Sequence, residues 1–476
     1  MADTMTALAA LPAFLMVSLL LLATVAYLFR DWERTVAIMA GVYTGALAFW
    51  FWRMDLSKPA QTLLGRPIQL DAPLTLGDFT FQVQPINAPV IALSLAMGAV
   101  AFLLAARVSQ GHTFVPLGLT LLAGYSALFL AAEGPLDPTL LTPLFLIGLS
   151  AVSAFILQAG RIGRVAGPLR MLIPPTLAFP FILVATWYID QIALNPQDNQ
   201  PAQMAALFIA FGYLLLLAPT PLHGAQTVSA ETAPPVAMTL ATLLYQLAVL
   251  YMLFRTISAF PFVVQDAPLA SWLEWTGLAT AVWGGVAAFG AVHAGRLWGY
   301  SALHDWGVIL MVLATAGVRS LPLALFLFGL RTISMFTAAA GLSVLEQQTG
   351  GLSAASLRGA ASRLPWNSAA FLLGGLGLVG FPLSAGFPGH WAAFQIVAET
   401  DWRQAAVVLI ASGGAIFSYI RLARILFGPL ANRSLLRERP LSAAMAALIL
   451  LVSVSLALAP QLMDGPVSYI LSAFNG

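Results

Sequence analysis

Apolar runs follow one another along almost the whole of this chain, and this property does most to limit what it can fold into. A helix needs roughly 20 apolar residues to cross a bilayer. About fourteen such runs are legible, near residues 7–28, 35–52, 88–106, 113–132, 139–158, 169–189, 202–218, 236–254, 272–292, 297–316, 320–345, 367–398, 404–427 and 442–460. They predict an all-α polytopic membrane protein and leave no room for a soluble catalytic domain. Composition agrees: 60% of residues are hydrophobic, 8% are charged and the mean hydropathy is +0.88, so the charges are too few to solvate a globular surface.

Several function classes drop out at this point. A net charge of +2 without a long basic tract gives no reason to expect nucleic acid. The chain has no cysteine, which excludes disulfides, thiolate catalysis, iron–sulfur clusters and cysteine zinc sites. No histidine pair has the spacing of a metal or haem site, so neither metal nor cofactor is expected. Ahead of the first run stands only Asp3, with no basic region, so that run reads as a true membrane helix and not as a cleaved signal.

The basic residues are twenty arginines and a single lysine, Lys58. Odd-numbered connections between the runs hold Arg30, Arg34, Arg107, Arg161, Arg164, Arg296, Arg358, Arg363, Arg433, Arg437 and Arg439. Even-numbered ones hold fewer: Arg53, Lys58, Arg66, Arg319 and Arg403. The positive-inside rule then predicts cytoplasmic odd connections and both termini outside, in the cell inner (plasma) membrane. The outer connection 53–87 carries a hairpin signal, alternation around Gly77-Asp78 between Leu74 and Val83. Segment 429–441 is the main cytoplasmic charge cluster and reads as a topology signal with headgroup contact. Its Asn432-Arg433-Ser434 sequon faces the cytoplasm and is discounted.

Two runs are interrupted by proline and glycine. Residues 202–235 break at Pro219-Thr220-Pro221 and again at Pro234-Pro235; residues 367–398 break at Gly380-Phe381-Pro382 and Gly386-Phe387-Pro388-Gly389. Irregular backbone at membrane depth persists only where protein or a wet cavity satisfies it. Broken helices at matching positions of two halves point to an inverted repeat with a site at each break. Each break falls in the fourth helix of a five-helix unit, helices 4–8 and 9–13. Expected segments are therefore 1–110 (helices 1–3 and the outer loop), 111–260 and 261–428 (the two repeats), and 429–476 (the basic connection and last helix).

Polar groups inside these runs are the functional candidates, because each is costly to place there. Arg331 lies mid-run, where a guanidinium costs roughly 3 kcal/mol on insertion scales and needs a partner or a wet channel. It stays protonated, so it can fix water and set a field but cannot relay protons. His390 lies in the second break; it either passes protons through both ring nitrogens or bonds the carbonyls freed there. His304 shares a helix face with Tyr300 and Ser301, whereas Asp305 points about 100° away, so the two are not a facing pair. His223 follows the first break, where capping a helix terminus is the simplest role. Tyr245 and Gln246 can hydrogen-bond water mid-helix. His112 and His293 read as interfacial. Gly375-Leu376-Gly377-Leu378-Val379-Gly380 matches a dinucleotide fingerprint, but inside a membrane helix it signals close helix packing.

Three segments carry a family likeness. Residues 219–236 run Pro-Thr-Pro-Leu-His-Gly to Ala-Pro-Pro-Val; 295–307 read Gly-Arg-Leu-Trp-Gly-Tyr-Ser-Ala-Leu-His-Asp-Trp-Gly; 380–390 hold Gly-Phe-Pro and Ala-Gly-Phe-Pro-Gly-His. On these the chain resembles the antiporter-like N- and M-type membrane subunits of respiratory complex I and their relatives in Mrp-type antiporters and membrane-bound hydrogenases. The resemblance implies about fourteen helices, two inverted five-helix repeats, and a membrane-arm subunit of a proton-translocating NADH:quinone oxidoreductase-type complex. If enzymatic, it would be a non-redox subunit. Implied partners are other membrane subunits, the lipid bilayer and protons or Na⁺. The family's proton route uses buried ionisable residues, and here they are altered. A glutamate expected near Ile147 or Gly148 is missing. Expected lysines fall on Leu216, near Tyr245 or Gln246, on Arg331 and on His390. The resemblance thus implies a degenerate first half-channel and a second half with His304, Arg331 and His390. Two other readings remain open: a non-pumping structural scaffold, and a stand-alone secondary transporter or cation–proton antiporter. Against the last stands the lack of a clustered polar pocket in the sequence.

Overall fold

The computed structural model describes residues 10–472 apart from 57, 59, 64–65, 71, 134–139, 159–164, 195–196, 316–319 and 430–436. Arg161, Arg164, Arg319 and Arg433, used above for orientation, and the Asn432 sequon lie outside the described residues. The chain is built of helices: α1 (Leu11–Leu28), α2 (Glu33–Arg53), α3 (Ala88–Ala105), α4 (Phe114–Leu130), α5 (Thr142–Gln158), α6 (Ile173–Leu194), α7 (Gln200–Leu216), α8 (Gly224–Thr232), α9 (Pro235–Ala259), α10 (Leu269–Gly290), α11 (Ala294–Ala314), α12 (Ser320–Thr349), α13 (Pro365–Gly377), α14 (Phe387–Leu426), α15 (Pro440–Leu458) and α16 (Asp464–Leu471). Among the described residues nine helices are long and apolar enough to cross a membrane. Helix starts at α3, α7, α9, α13 and α15 carry proline in the first turn, where its missing N–H would be unpaired anyway.

Both interruptions read from the sequence are real chain breaks. The first separates α7 from α8 and α9, the second α13 from α14. Helix α14 also kinks at Asp401, whose backbone is extended (φ −149°, ψ 103°). Helix α9 runs through the centre, its apolar window fully buried, whereas only 17% of the α15 window is buried. The hairpin around Gly77 is present: β3 (Leu74–Leu76) pairs antiparallel with β4 (Phe79–Phe81), and Gly77 takes φ +60°. Two features went unforeseen. Strand β5 (Ala131–Glu133) adds to β4, and β1 (Ala60–Leu63) pairs with β2 (Arg66–Gln69). Asn87 ties this outer loop to the end of α4, donating to Gln82 O at 2.9 Å and Phe129 O at 3.2 Å.

The connections gather at two opposite ends. At one, Arg107 Nη2 donates to Asn367 Oδ1 (2.9 Å) and Ser442 Oγ (2.7 Å), joining the segments after α3, at the start of α13 and at the start of α15. At the other, Arg255 Nη1 donates to Ala131 O (3.0 Å) and Tyr469 Oη to Phe51 O (2.9 Å).

Helices α10 and α11 pack closely because small residues face each other. A Cβ added to Gly284 would meet the backbone of His304 and Tyr300, and one added to Gly307 would meet Ala281. This contact seats His304 and Asp305. Gly284→Val should therefore force the two helices apart, an overpacking cost of about 1–3 kcal/mol, and lower the melting temperature of the purified protein. Gly148→Ala, where nothing lies within 4 Å of the added methyl, should leave it unchanged or raised.

Candidate functional site

The second break shapes the site. Gly380 adopts φ +69°, and a Cβ there would lie 2.6 Å from the Cβ of His390, so glycine serves both the turn and the space. The break ends at Gly386, and His390 follows in the first turn of α14. Its Nδ1 lies 3.1 Å from Gly386 O. A carbonyl only accepts, so Nδ1 carries the hydrogen, and in a neutral ring Nε2 is left as a lone pair. That Nε2 faces Asp305 Oδ1 at 3.4 Å. The separation is too long for a good hydrogen bond but strongly electrostatic. Two lone pairs facing each other repel; a proton between them, on either group, removes the conflict.

The other oxygen of Asp305 is bound by Arg331. Nη1 donates to Asp305 Oδ2 at 2.7 Å and to Ala302 O at 2.6 Å, and Nε donates to Gln246 Oε1 at 3.1 Å. The guanidinium also lies 5.7 Å from the Trp306 ring centroid, while Nη2 is buried without a partner. The side chains of Arg331 and Asp305 are 0% and 3% exposed, so neither charge is neutralised by water. Burying one of them alone would cost several kcal/mol, and the pair answers the need for a partner read from the sequence.

His304 sits beside this pair on α11. Its Nδ1 is 2.7 Å from Ala281 O, so this nitrogen too carries the hydrogen, and its Nε2 meets Ser412 Oγ at 2.8 Å. Ser412 can alternatively donate to Val408 O at 3.1 Å, in which case His304 Nε2 must be the donor. The serine rotor thus allows either protonation state. The rings of His304 and His390 stack 6.2 Å apart with an interplanar angle of 11°.

Four of the six sequence candidates, His304, Arg331, His390 and Gln246, therefore form one buried cluster. The other two lie on the far side of Gln246. Tyr245, His223 and Gln246 line a separate cavity of about 50 Å³ at the first break, large enough for water. Tyr245 Oη donates to Leu216 O at 2.9 Å. His223 stands at the N-cap of α8 but caps nothing: no side-chain bond closes that terminus, and its Nε2 accepts from Trp283 Nε1 at 3.2 Å. The capping role read from the sequence is thus corrected. Trp306 Nε1 donates to Leu217 O at 2.9 Å and ties α11 to the first break.

Asp305 and Ser412 were missed. His304 and Asp305 do diverge around the helix, but both reach His390, one by stacking and one by charge. Asp305 is the one acid in its apolar run, as Arg331 is the one base in its own, and mutual neutralisation was the available signal.

Comparison with known proteins agrees with this architecture. The family described as "NADH:quinone oxidoreductase/Mrp antiporter, TM" matches residues 171–418, which hold both breaks and the whole cluster. NADH-quinone oxidoreductase subunit N of Desulforudis audaxviator is 27% identical over 357 residues, 69% of this chain and 69% of that relative. Among solved structures, a chain of the archaeal membrane-bound sulfane sulfur reductase superimposes with a TM-score of 0.77 at 18% identity, covering 97% of each chain. A chain of the Mrp complex from Dietzia sp. does so with a TM-score of 0.76 at 16% identity, covering 99% of this chain and 97% of that one. The chain is a divergent member of the NADH:quinone oxidoreductase/Mrp antiporter family of antiporter-like membrane subunits.

Proposed function

We propose that this chain is a membrane-arm subunit of a complex-I-like, proton-translocating oxidoreductase and that its second half alone still moves protons. The observation that carries the proposal is the Asp305 Oδ1–His390 Nε2 pair, 3.4 Å apart, each group's second polar atom already committed to Arg331 or Gly386. One proton has two adjacent residences there, and His304 with the Ser412 rotor extends the route. Arg331 holds the carboxylate and sets the field. Among the described residues no carboxylate–imidazole pair stands at the first break, where Tyr245 bonds the Leu216 carbonyl and the imidazole of His223 accepts from Trp283.

The reading assigns fourteen crossings, with repeats over 111–260 and 261–428, segments 1–110 and 429–476 outside them, and both termini outside the cell inner membrane. The gathering of Arg107 with the connections at Asn367 and Ser442 supports that sidedness, since all three are odd connections rich in arginine. Neighbouring membrane subunits are the partners, and protons, not Na⁺, the cargo, because imidazole and carboxylate here offer proton sites and no oxygen cage. A scaffold without transport is the second reading, favoured by the closed packing around Arg331.

Two experiments separate them. His390→Gln keeps a donor for Gly386 O but removes the titrating nitrogen; proteoliposomes of the assembled complex should pump several-fold fewer protons per electron, and unchanged pumping with normal assembly would sink the proton path. Arg331→Met or Asp305→Leu alone should each destabilise by about 3–5 kcal/mol, whereas the double variant should recover much of that loss. Recovered stability with pumping still absent supports transport; recovery of both supports the scaffold.

A further inference from the structure

An open cleft of about 490 Å³ lies where the connections before α2, after α3 and before α15 meet. Arg34, Arg107 and Arg439 line it, with Ser109 and Ser442 between them. Its charge is poorly answered by the protein. Glu33 also lines it but is engaged by His112 Nδ1 at 2.8 Å. Glu438 nearby accepts from the Asn367 backbone N–H at 3.0 Å and from its amide. Among the described residues neither Arg34 nor Arg439 is paired with a carboxylate. Arg107 spends Nη2 on Asn367 and Ser442 while Nε and Nη1 are buried with no partner. Burial pulls this guanidinium down to about 10, with Glu438 opposing the shift, which marks a cation short of counter-charge.

Helix dipoles make the imbalance worse. Arg34 sits in the first turn of α2 and Arg439 at the N-cap of α15. The N-terminal end of a helix already carries partial positive charge, so these cations stand at the wrong end. A topology signal needs arginines in the connection, but it does not need three of them to converge on one cleft floored by two helix starts. A bound anion would satisfy the guanidinium nitrogens, the helix ends and the serine hydroxyls together. From the mouth of the cleft, Leu441, Leu448 and Leu451 continue along α15 at 56%, 60% and 63% exposure, a path for acyl chains.

We propose that this cleft binds a phosphate group, supplied by the headgroup of an anionic phospholipid or by free phosphate. The site commits Arg34 and Arg439 as mobile clamps and Arg107 as the fixed floor. The test uses the assembled complex, stripped of lipid in detergent, with melting temperature and native mass spectrometry as readouts. Phosphatidylglycerol should raise the melting temperature and be retained, and phosphatidylcholine should do neither, because its choline would face the arginines. Arg34 and Arg439 are exposed, so the double variant Arg34→Gln, Arg439→Gln should fold as wild type and bind about tenfold more weakly or worse. A stabilisation by millimolar inorganic phosphate that the double variant loses would assign the same site to a soluble source. No effect of either anion, or an effect that survives the double variant, would overturn the proposal.

Discussion

A guanidinium with no route to water has to be neutralised by the protein around it, and much of the centre of this molecule follows from that. Arg331 bonds Asp305 and Ala302 from α11 and Gln246 from α9, so one side chain on α12 joins three helices. The pair itself is a weak source of stability, because desolvating two charges offsets most of their attraction. What it does fix is register, because α11 and α12 must stay in contact for both charges to remain paired. The close approach of α10 to α11 through Gly284 and Gly307 then holds the carboxylate and His304 in place.

The two breaks use the same device and arrive at different chemistry. At the second, Gly386 O, which already accepts the His390 backbone N–H at 3.1 Å, also takes the Nδ1 hydrogen of His390, which directs the other nitrogen at Asp305. At the first, Leu216 O and Leu217 O take hydrogens from Tyr245 and Trp306, groups that bond without titrating near neutral pH. Under the proposed function, the carbonyl that orients His390 helps to build a proton site, whereas the carbonyls bonded to Tyr245 and Trp306 do not. This contrast, more than the count of charged residues, distinguishes the two halves.

Arginine does two separate jobs in this chain. At exposed helix ends such as Arg34 and Arg439 it faces solvent, where the positive-inside expectation places a cation. At Arg331 it bonds Asp305 and Ala302 through Nη1 and Gln246 through Nε, a spread of donors that the planar fork of arginine allows and a single ammonium does not.

Much was legible in the sequence because membrane folding is governed by local rules. Run length marks a helix, proline and glycine mark its interruptions, and a hairpin announces itself at Gly77-Asp78. The candidates Arg331, His304, His390 and Gln246 were visible because any polar group in an apolar run is conspicuous. The sequence alone did not say which of them meet. Asp305 lies next to His304 in the chain but points at a different helix, and Ser412 comes from the far half of a kinked helix. Whether Tyr245 faces a proton route or a bare carbonyl is likewise a matter of which helix stands opposite. By itself the sequence determined a membrane-embedded bundle with two broken helices and a few buried polar groups, because hydrophobicity and backbone restriction act residue by residue. Only the tertiary structure decided that His390 of the second break stands beside the Asp305–Arg331 ion pair while the carbonyls of the first bond Tyr245 and Trp306, because charge pairing and hydrogen bonding depend on distances between helices that sequence spacing does not encode.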